Sequence, residues 1–276
     1  MQLHRFWIKE LGAGGCPGQR LGRAFVPSSG RGELAVERQM KRSREKEMMD
    51  LPGNPAGLLE EDLTNLRLLN RTLGGYRGVL GNLDRLINEK ENARFTLLDV
   101  GTGSGDIPRA VVRWARARGI SVNIVALEPD PVTAEVARRL TKDLPEISIV
   151  RGDARYLPFA SASFDFVLAS QFLHHFSERE IVVLLRTWSC VARRGLLVSD
   201  LIRHPLAYFA IRLLTLLFTG NEMTCRDAPL SIRRAFTLGE WRNLFKQVEI
   251  GEFSLLSLFP FRVFAFFSLE ERHGAV

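Results

Sequence analysis

The chain of 276 residues has few cysteines, no long uninterrupted apolar run and no secretory signal pattern near its first residues. Its three cysteines, Cys16, Cys190 and Cys225, are an odd number and lack Cys-x-x-Cys spacing, which favours a reducing compartment and no metal. The longest apolar run, 206–218, contains Arg212 and is shorter than the ~20 residues of a membrane-spanning helix. We therefore expect a cytoplasmic protein without an integral membrane segment.

The net positive charge is also small outside the first part of the chain. The net charge is +7, but residues 1–49 hold ten Lys/Arg and five Asp/Glu, which leaves +2 for residues 50–276. Binding to a nucleic-acid backbone requires a clustered basic surface, and the larger part of the chain does not supply the charge for one. We expect no nucleic-acid partner.

Periodicity divides the sequence into an extension and one domain. Residues 1–49 are rich in Gly, Arg and Ser without a sustained period, which predicts a disordered extension. Residues 50–276 form the predicted domain, and its first part, 50–94, has apolar residues every three or four positions, interrupted at Gly74-Gly75. That spacing predicts two amphipathic N-terminal helices.

Strand and helix patterns alternate through 95–200, which predicts an α/β fold with a parallel sheet. The alternation then stops. Residues 201–245 predict a helical lid insertion, with helices at 205–219 and 231–245 separated by a polar stretch at 220–229. Two apolar runs within 246–276, joined at Pro260, predict a terminal β-hairpin at the sheet edge. The lid is expected to cap a ligand crevice.

Chemistry-bearing residues follow three successive predicted strands. The first strand runs into Gly101, Gly103 and Gly105, the second ends at Glu128, and Asp153 follows the third. Ligands bind at the carboxyl ends of the strands in such sheets, where glycine lets the backbone approach closely. The three features together predict a nucleoside-binding crevice.

Four ordered motifs, at 98–105, 127–130, 152–159 and 164–170, resemble those of the class I S-adenosylmethionine-dependent methyltransferases. The likeness is to the ubiquinone and menaquinone biosynthesis group (methyltransferase type 11) and, more weakly, to methyltransferases encoded beside type III polyketide synthases. It implies a Rossmann-like fold with a mainly parallel seven-stranded sheet, S-adenosylmethionine as cofactor, and a small phenolic, quinone or polyketide-derived acceptor methylated on oxygen or carbon. A homodimer is left open.

The resemblance also implies cofactor contacts. Asp99 would help to hold the ammonium group, Glu128 would accept from both ribose hydroxyls, and Asp153 would accept from the adenine amine. The full expected set is Asp99, Gly101, Thr102, Gly103, Gly105, Glu128, Pro129, Asp153, Ala154, Ser170 and Gln171.

The acceptor side rests on histidines and lid residues. His174, His175 and His204 are the candidates for a catalytic base, because imidazole titrates near neutral pH. A role as a cap or a surface group is the alternative for each. Four apolar lid residues fit either contact with an aromatic acceptor or core packing: Phe209, Leu213, Leu216 and Phe218.

Two other functions share parts of this pattern. An NAD(P)-dependent oxidoreductase has the fingerprint G-x-G-x-x-G, but Asp106 occupies the position of its third glycine, and Asp153 would have no role. A non-catalytic cofactor-binding protein of the same fold is the second alternative.

Overall fold

The computed structural model describes residues 40–87 and 94–269. Two helices come first, α1 (Ala56–Thr72) and α2 (Gly75–Leu86), separated by Gly74 in a left-handed conformation (φ 79°). The alternating part comprises β1 (Arg94–Val100), α3 (Asp106–Ala117), β2 (Ser121–Glu128), α4 (Pro131–Thr141), β3 (Ile147–Arg151), β4 (Phe164–Ser170), α5 (Glu178–Val191) and β5 (Ala192–Leu201). The chain continues with α6 (Pro205–Phe218), α7 (Glu222–Arg234), α8 (Leu238–Lys246), β6 (Phe253–Leu258) and β7 (Arg262–Ser268).

The seven strands form one sheet in the order β3-β2-β1-β4-β5-β7-β6. Strands β1 to β5 pair in parallel, and β7 runs antiparallel to both β5 and β6. The predicted mainly parallel seven-stranded sheet with its terminal hairpin is therefore confirmed. Because β1 and β4 are neighbours although β2 and β3 follow β1 in sequence, the strand order reverses between them. A crevice for a ligand lies at such a reversal.

Both faces of the sheet are covered by helices, and β1 shows how its sequence allows this. Leu98 and Val100 pack into the apolar cluster beneath α5 and α8, while Phe95 and Leu97 pack into the cluster beneath α2 and α3. Alternate residues of a strand point to opposite faces, so a strand with apolar residues at both parities is buried between two layers.

Two expectations about the helical insertion are wrong. Most of the polar stretch 220–229 belongs to α7, which begins at Glu222 after the N-cap Asn221 and contains Pro229. The predicted helix 231–245 is two helices, interrupted at Phe236, whose backbone bridges Ile202, and restarted by a capping box between Thr237 and Glu240. Short-range propensity missed both, because the N-cap and the packing of the insertion outweigh the polar composition.

The apolar face of α6 is also not where the sequence suggested. Phe209, Leu213, Leu216 and Phe218 are exposed, as are Leu206 and Leu217, with 60–77% of each residue accessible. They neither line a crevice nor pack into the core. Helix α6 packs on α7, and it is α7 that contacts the turn after β4.

Residues 40–49 differ from the extension predicted for residues 1–49, whose residues 1–39 lie outside the described part. Glu47 is 2% exposed, and Met48–Asp50 form a 3₁₀ turn against α7. The Arg42 guanidinium donates to the carbonyl of Arg234 at 2.6 Å and lies over the ring of Phe236. This segment is therefore an ordered part of the domain.

Candidate active site

The glycine loop after β1 lies at the carboxyl edge of the sheet, tied to β2. The backbone N–H groups of Gly101 and Thr102 both donate to the carbonyl of Leu127 at 3.0 Å. Gly103 has φ 56°, and a Cβ added there would meet no atom within 4 Å, so its backbone faces open space. A Cβ on Gly101 (φ 70°) would lie 2.3 Å from the ring of Phe172. The backbone approaches its surroundings closely at the first glycine and is accessible at the second.

Glu128, at the end of β2, is joined directly to this loop. Its carboxylate accepts from the backbone N–H of Gly103 at 3.0 Å and from that of Asp130 at 3.1 Å. Burial raises the pKa of Glu128 to about 7, although both hydrogen bonds favour the charged form. A carboxylate has about four lone-pair positions, so two remain for a further donor.

Asp99 lies one strand away, in β1, and its side chain is buried. Its Oδ2 has no hydrogen-bond partner among the described residues, and neither has the hydroxyl of Ser170. Burial, together with the negative charge of Asp106, raises the pKa of Asp99 to about 7. Buried polar atoms usually find partners, so this edge has unused capacity to bind a polar ligand. The open Gly103 backbone, Glu128 and these atoms fit the ammonium, carboxylate and ribose groups of S-adenosylmethionine.

Asp153 stands at the same edge but is engaged locally. Both of its oxygens accept from the Arg155 guanidinium, at 2.7–3.1 Å, and its Oδ1 also accepts from the Arg155 backbone. The neighbouring Ala154 is buried, and its carbonyl accepts from the Trp188 indole at 2.8 Å. Pro129, the remaining expected contact of the second motif, is exposed directly after Glu128.

Helix α1 places over this edge a polar group that the sequence pattern did not predict. The amide of Asn70 donates to Asp106 at 3.1 Å, and Gln171, which has φ 51°, donates to the Asn70 carbonyl oxygen. Arg262 of β7 donates to the carbonyl of Leu73 beside them. The periodicity of α1 identified only its apolar face, so nothing in the sequence pattern pointed to Asn70.

His174 and His175 lie in a 3₁₀ turn (Leu173–His175) directly after β4, where they meet Glu47 and Asp50 from the N-terminal segment. His174 Nδ1 is 2.7 Å from Asp200 Oδ1, and His175 Nδ1 is 2.9 Å from Asp50 Oδ2. The two Nε2 atoms lie 3.6 and 3.8 Å from the oxygens of Glu47. Glu47 was assigned to the extension, and Asp50, the first residue of the predicted domain, was given no role, so this cluster was not foreseen.

The three candidate histidines have different surroundings. Burial lowers the pKa of His174, but Asp200 and Glu47 outweigh that effect and raise it to about 9. His175 is part-exposed beside the ring of Phe172, with ring centroids 6.3 Å apart. His204 is the N-cap of α6, accepts from the backbone of Leu206, and stacks on Phe261. The structure therefore joins His174 and His175 in one cluster and separates His204 from it.

A cavity of about 490 Å³ opens beside this cluster, lined by residues that include Arg42, His174, His175, Phe176, Ser177 and Arg234. None of the expected cofactor residues lines it. The cavity therefore borders the two histidines and not the glycine loop.

Comparison with known families assigns the central part of the chain. Residues 98–198 match the methyltransferase domain family, and this segment holds the glycine loop, Glu128, Asp153 and the two adjacent histidines. Residues 98–198 are thus assigned to a methyltransferase domain, within a sheet that has the class I arrangement. S-adenosylmethionine is the cofactor that goes with this domain, which favours a methyltransferase over the dinucleotide-dependent alternative.

Relatives agree with the domain assignment at low identity. An uncharacterized methyltransferase of Oceanobacillus iheyensis is 24% identical over 106 residues, which cover 38% of this chain and 46% of that protein. The match thus spans less than half of the curated relative.

Solved structures show the same fold. A S-adenosylmethionine-dependent methyltransferase of Aquifex aeolicus superposes with a TM-score of 0.53 at 13% identity, over 79% of this chain and all of that one. Human N-acetylserotonin methyltransferase, solved with S-adenosylmethionine, gives a TM-score of 0.55 at 16% identity, over 78% of this chain and 56% of that chain. Across 40–87 and 94–269, no helix is long and apolar enough to cross a membrane.

Proposed function

We propose that this protein transfers the methyl group of S-adenosylmethionine to a small hydrophobic acceptor, a phenolic, quinone or polyketide-derived oxygen or carbon. The observation that carries the proposal is the hydrogen bond between Gly103 N–H and Glu128 Oε2. It unites the open glycine backbone and a buried carboxylate at the point where the strand order reverses.

The bound cofactor would supply a methyl group on a sulfonium, which an acceptor displaces in line. In this proposal Asp99 favours the ammonium end, Glu128 accepts from the ribose hydroxyls, and Ser170 offers its unpartnered hydroxyl beside Gln171. Asp153 would receive the adenine amine beside the guanidinium that it already binds. Holding the acceptor against the methyl group accounts for much of the acceleration of such a reaction.

The acceptor class is supported by aromatic side chains at the edge of the glycine loop. Phe172 packs against Gly101, and the rings of Phe172 and Phe176 are 5.0 Å apart. These rings offer an apolar wall next to His175, so a planar, hydrophobic acceptor fits this position better than a charged one. The exposed residues of α6 no longer support it.

Among the histidines, we assign the catalytic base to His175. His174 holds its proton at neutral pH, which makes it a poor base, and His204 caps a helix away from the cluster. His175 is part-exposed, and Asp50 orients its ring through Nδ1. A base at this position would take the proton of a phenol or an activated carbon. His174 would then act as a positioning residue.

Methyl transfer tests the proposal. The purified chain, supplied with methyl-labelled S-adenosylmethionine and a panel of phenols and hydroquinones, is expected to label an acceptor. Glu128→Ala should lower that activity more than tenfold, while Glu135→Ala, a change on the exposed face of α4, should leave it unaltered. Cofactor binding without label transfer to any acceptor would favour the non-catalytic alternative.

Two other expectations stand as proposals alongside this function. We place the protein in the cytoplasm, and we leave a homodimer as the assembly to test by light scattering. Neither is needed for the chemistry at the sheet edge.

A further inference from the structure

We propose that Glu47, His174 and His175, here called the histidine–glutamate cluster, bind a divalent transition-metal cation such as Zn²⁺. One ligand atom from each residue lies within 4.8 Å of the other two. The Nε2 atoms of the histidines are 3.6 and 3.8 Å from the Glu47 oxygens. Ligands around one zinc ion lie slightly closer together, because each zinc–ligand bond is about 2.0–2.2 Å long. A small inward movement would complete the site.

The orientation of both imidazole rings supports this assignment. Asp200 holds Nδ1 of His174, and Asp50 holds Nδ1 of His175. Metal-binding histidines usually donate the other ring N–H to a carboxylate or carbonyl, which fixes the tautomer and the direction of the free nitrogen. Here two separate carboxylates do this, and both Nε2 atoms face the same glutamate, so zinc would displace the proton that His174 holds at neutral pH.

An independent observation concerns His174 Nε2. This atom is buried, and within the part of the chain that the structure describes its nearest acceptor, Oε1 of Glu47 at 3.6 Å, lies just beyond hydrogen-bond distance. A buried polar atom without a partner is costly. A cation bound between this nitrogen and Glu47 would supply the missing interaction.

The charges around the cluster determine its affinity for a cation. Ser231 and Arg234 both approach Oε1 of Glu47, at 2.9 and 3.7 Å, so Oε2 is the oxygen that faces His175. The guanidinium of Arg234 opposes a cation, whereas the carboxylates of Glu47, Asp50 and Asp200 attract one. We therefore expect weaker affinity than that of a structural zinc site.

The donor set selects the kind of metal. Two imidazoles and one carboxylate suit zinc and similar transition metals, whereas Mg²⁺ and Ca²⁺ prefer oxygen ligands. The cavity of about 490 Å³ reaches both histidines and provides an entry path. A bound ion would join the N-terminal segment to the turn after β4. This differs from the sequence expectation of no metal, and it does not rest on the proposed methyl transfer. Because Nε2 of His175 cannot accept a proton while it binds zinc, the ion would inhibit a reaction in which His175 acts as the base.

Metal binding can be measured without cofactor or acceptor. The full chain is freed of metal with a chelator and titrated with Zn²⁺ at pH 8, since protons compete with the cation for imidazole. We expect one zinc ion per chain and a higher melting temperature, and no such response to Mg²⁺. Glu47→Gln and His175→Gln should each weaken zinc binding at least ~10-fold, and Asp50→Asn, which loosens one ring, about 10–100-fold.

Matched changes outside the cluster provide the controls. His204→Gln and Glu135→Gln remove the same side-chain types elsewhere and should leave zinc affinity unchanged. Circular dichroism establishes that each variant is folded, and Glu47→Gln decides the matter if His175→Gln does not fold. The proposal is overturned if the wild-type chain binds no zinc, or if folded Glu47→Gln binds it as tightly as wild type.

Discussion

At the scale of single residues, the site is defined by buried carboxyl groups. The protein itself does not supply enough hydrogen bonds or positive charge to offset their burial. Asp99 and Glu128 are both buried, and the pKa of each is raised to about 7. Such perturbed carboxyls are common at functional sites, where a ligand supplies what burial removes. Without a ligand, the ionised form of these carboxyls lowers the free energy of unfolding, and the size of that loss depends on pH.

Replacing Asp99 by Asn should remove the part of this pH-dependent destabilisation that comes from Asp99. The folded state keeps the Asp99 proton up to about pH 7, whereas the unfolded chain loses it near its ordinary pKa of 3.8. Raising the pH between those values therefore favours unfolding of the wild type, by at most about 1.4 kcal/mol per pH unit. We expect Asp99→Asn to gain stability relative to wild type from pH 5 to 7 and to level off above. Urea unfolding at several pH values measures the difference in unfolding free energy between the variant and wild type. A difference that does not change with pH would contradict the raised pKa of Asp99.

Gly101 permits a second test, through its contact with Phe172. Gly101→Ala should lose about 1–3 kcal/mol of unfolding free energy, because its φ of 70° strains a Cβ that also meets the phenyl ring. The double change with Phe172→Ala removes that ring. Its loss is predicted to be smaller than the sum of the two single losses. Additive losses in denaturant titrations would show that the two residues do not interact.

At the scale of elements, the sequence specified what depends on local periodicity. The strands β1 to β5, the break between α1 and α2, and the bounds of α5 follow from alternation, a Gly-Gly pair and a capping box at Ser177 and Glu180. Helix α7 could not be predicted in this way, because its polar composition and Pro229 favour a loop. Its N-cap and its tertiary packing make it helical. The Thr237 to Glu240 capping box was a usable signal for the start of α8.

Helix α6 gives a prediction at this scale. Because Leu213 and Leu216 are exposed, replacing both by Gln should change the free energy of unfolding by no more than about 0.5 kcal/mol each. Met223 of α7 is fully buried, and Met223→Ala should cost about 2–5 kcal/mol. Chemical denaturation compares the two. A loss above 1 kcal/mol per leucine would mean that α6 is packed against protein.

At the scale of the whole molecule, the part of the site nearest the histidines is built from segments far apart in the chain. Glu47 and Asp50 reach His174 and His175, and Arg203 donates to the carbonyl of Met40 at 2.7 Å. No local pattern encodes such contacts, so the sequence pointed to the sheet edge that carries the glycine loop and Glu128 but not to the N-terminal half of this cluster.

Truncation tests this arrangement. Removal of residues 1–39 is expected to leave the melting temperature and cofactor affinity unchanged, because their sequence lacks the apolar periodicity of a packed segment. Removal of residues 1–49 also deletes the part-buried Arg42 and the buried Glu47 with their hydrogen bonds, and should lower the melting temperature clearly. Equal melting temperatures for the two truncated chains would refute the structural role of residues 40–49.

The central claim is that the carboxyl edge of the sheet binds S-adenosylmethionine, and calorimetric titration of the purified chain tests it most directly. The account predicts one site per chain with micromolar affinity, and at least about 1.4 kcal/mol weaker binding for Glu128→Ala, since a charge-assisted contact is lost. Absence of binding by the folded protein, or full affinity in Glu128→Ala, would contradict it.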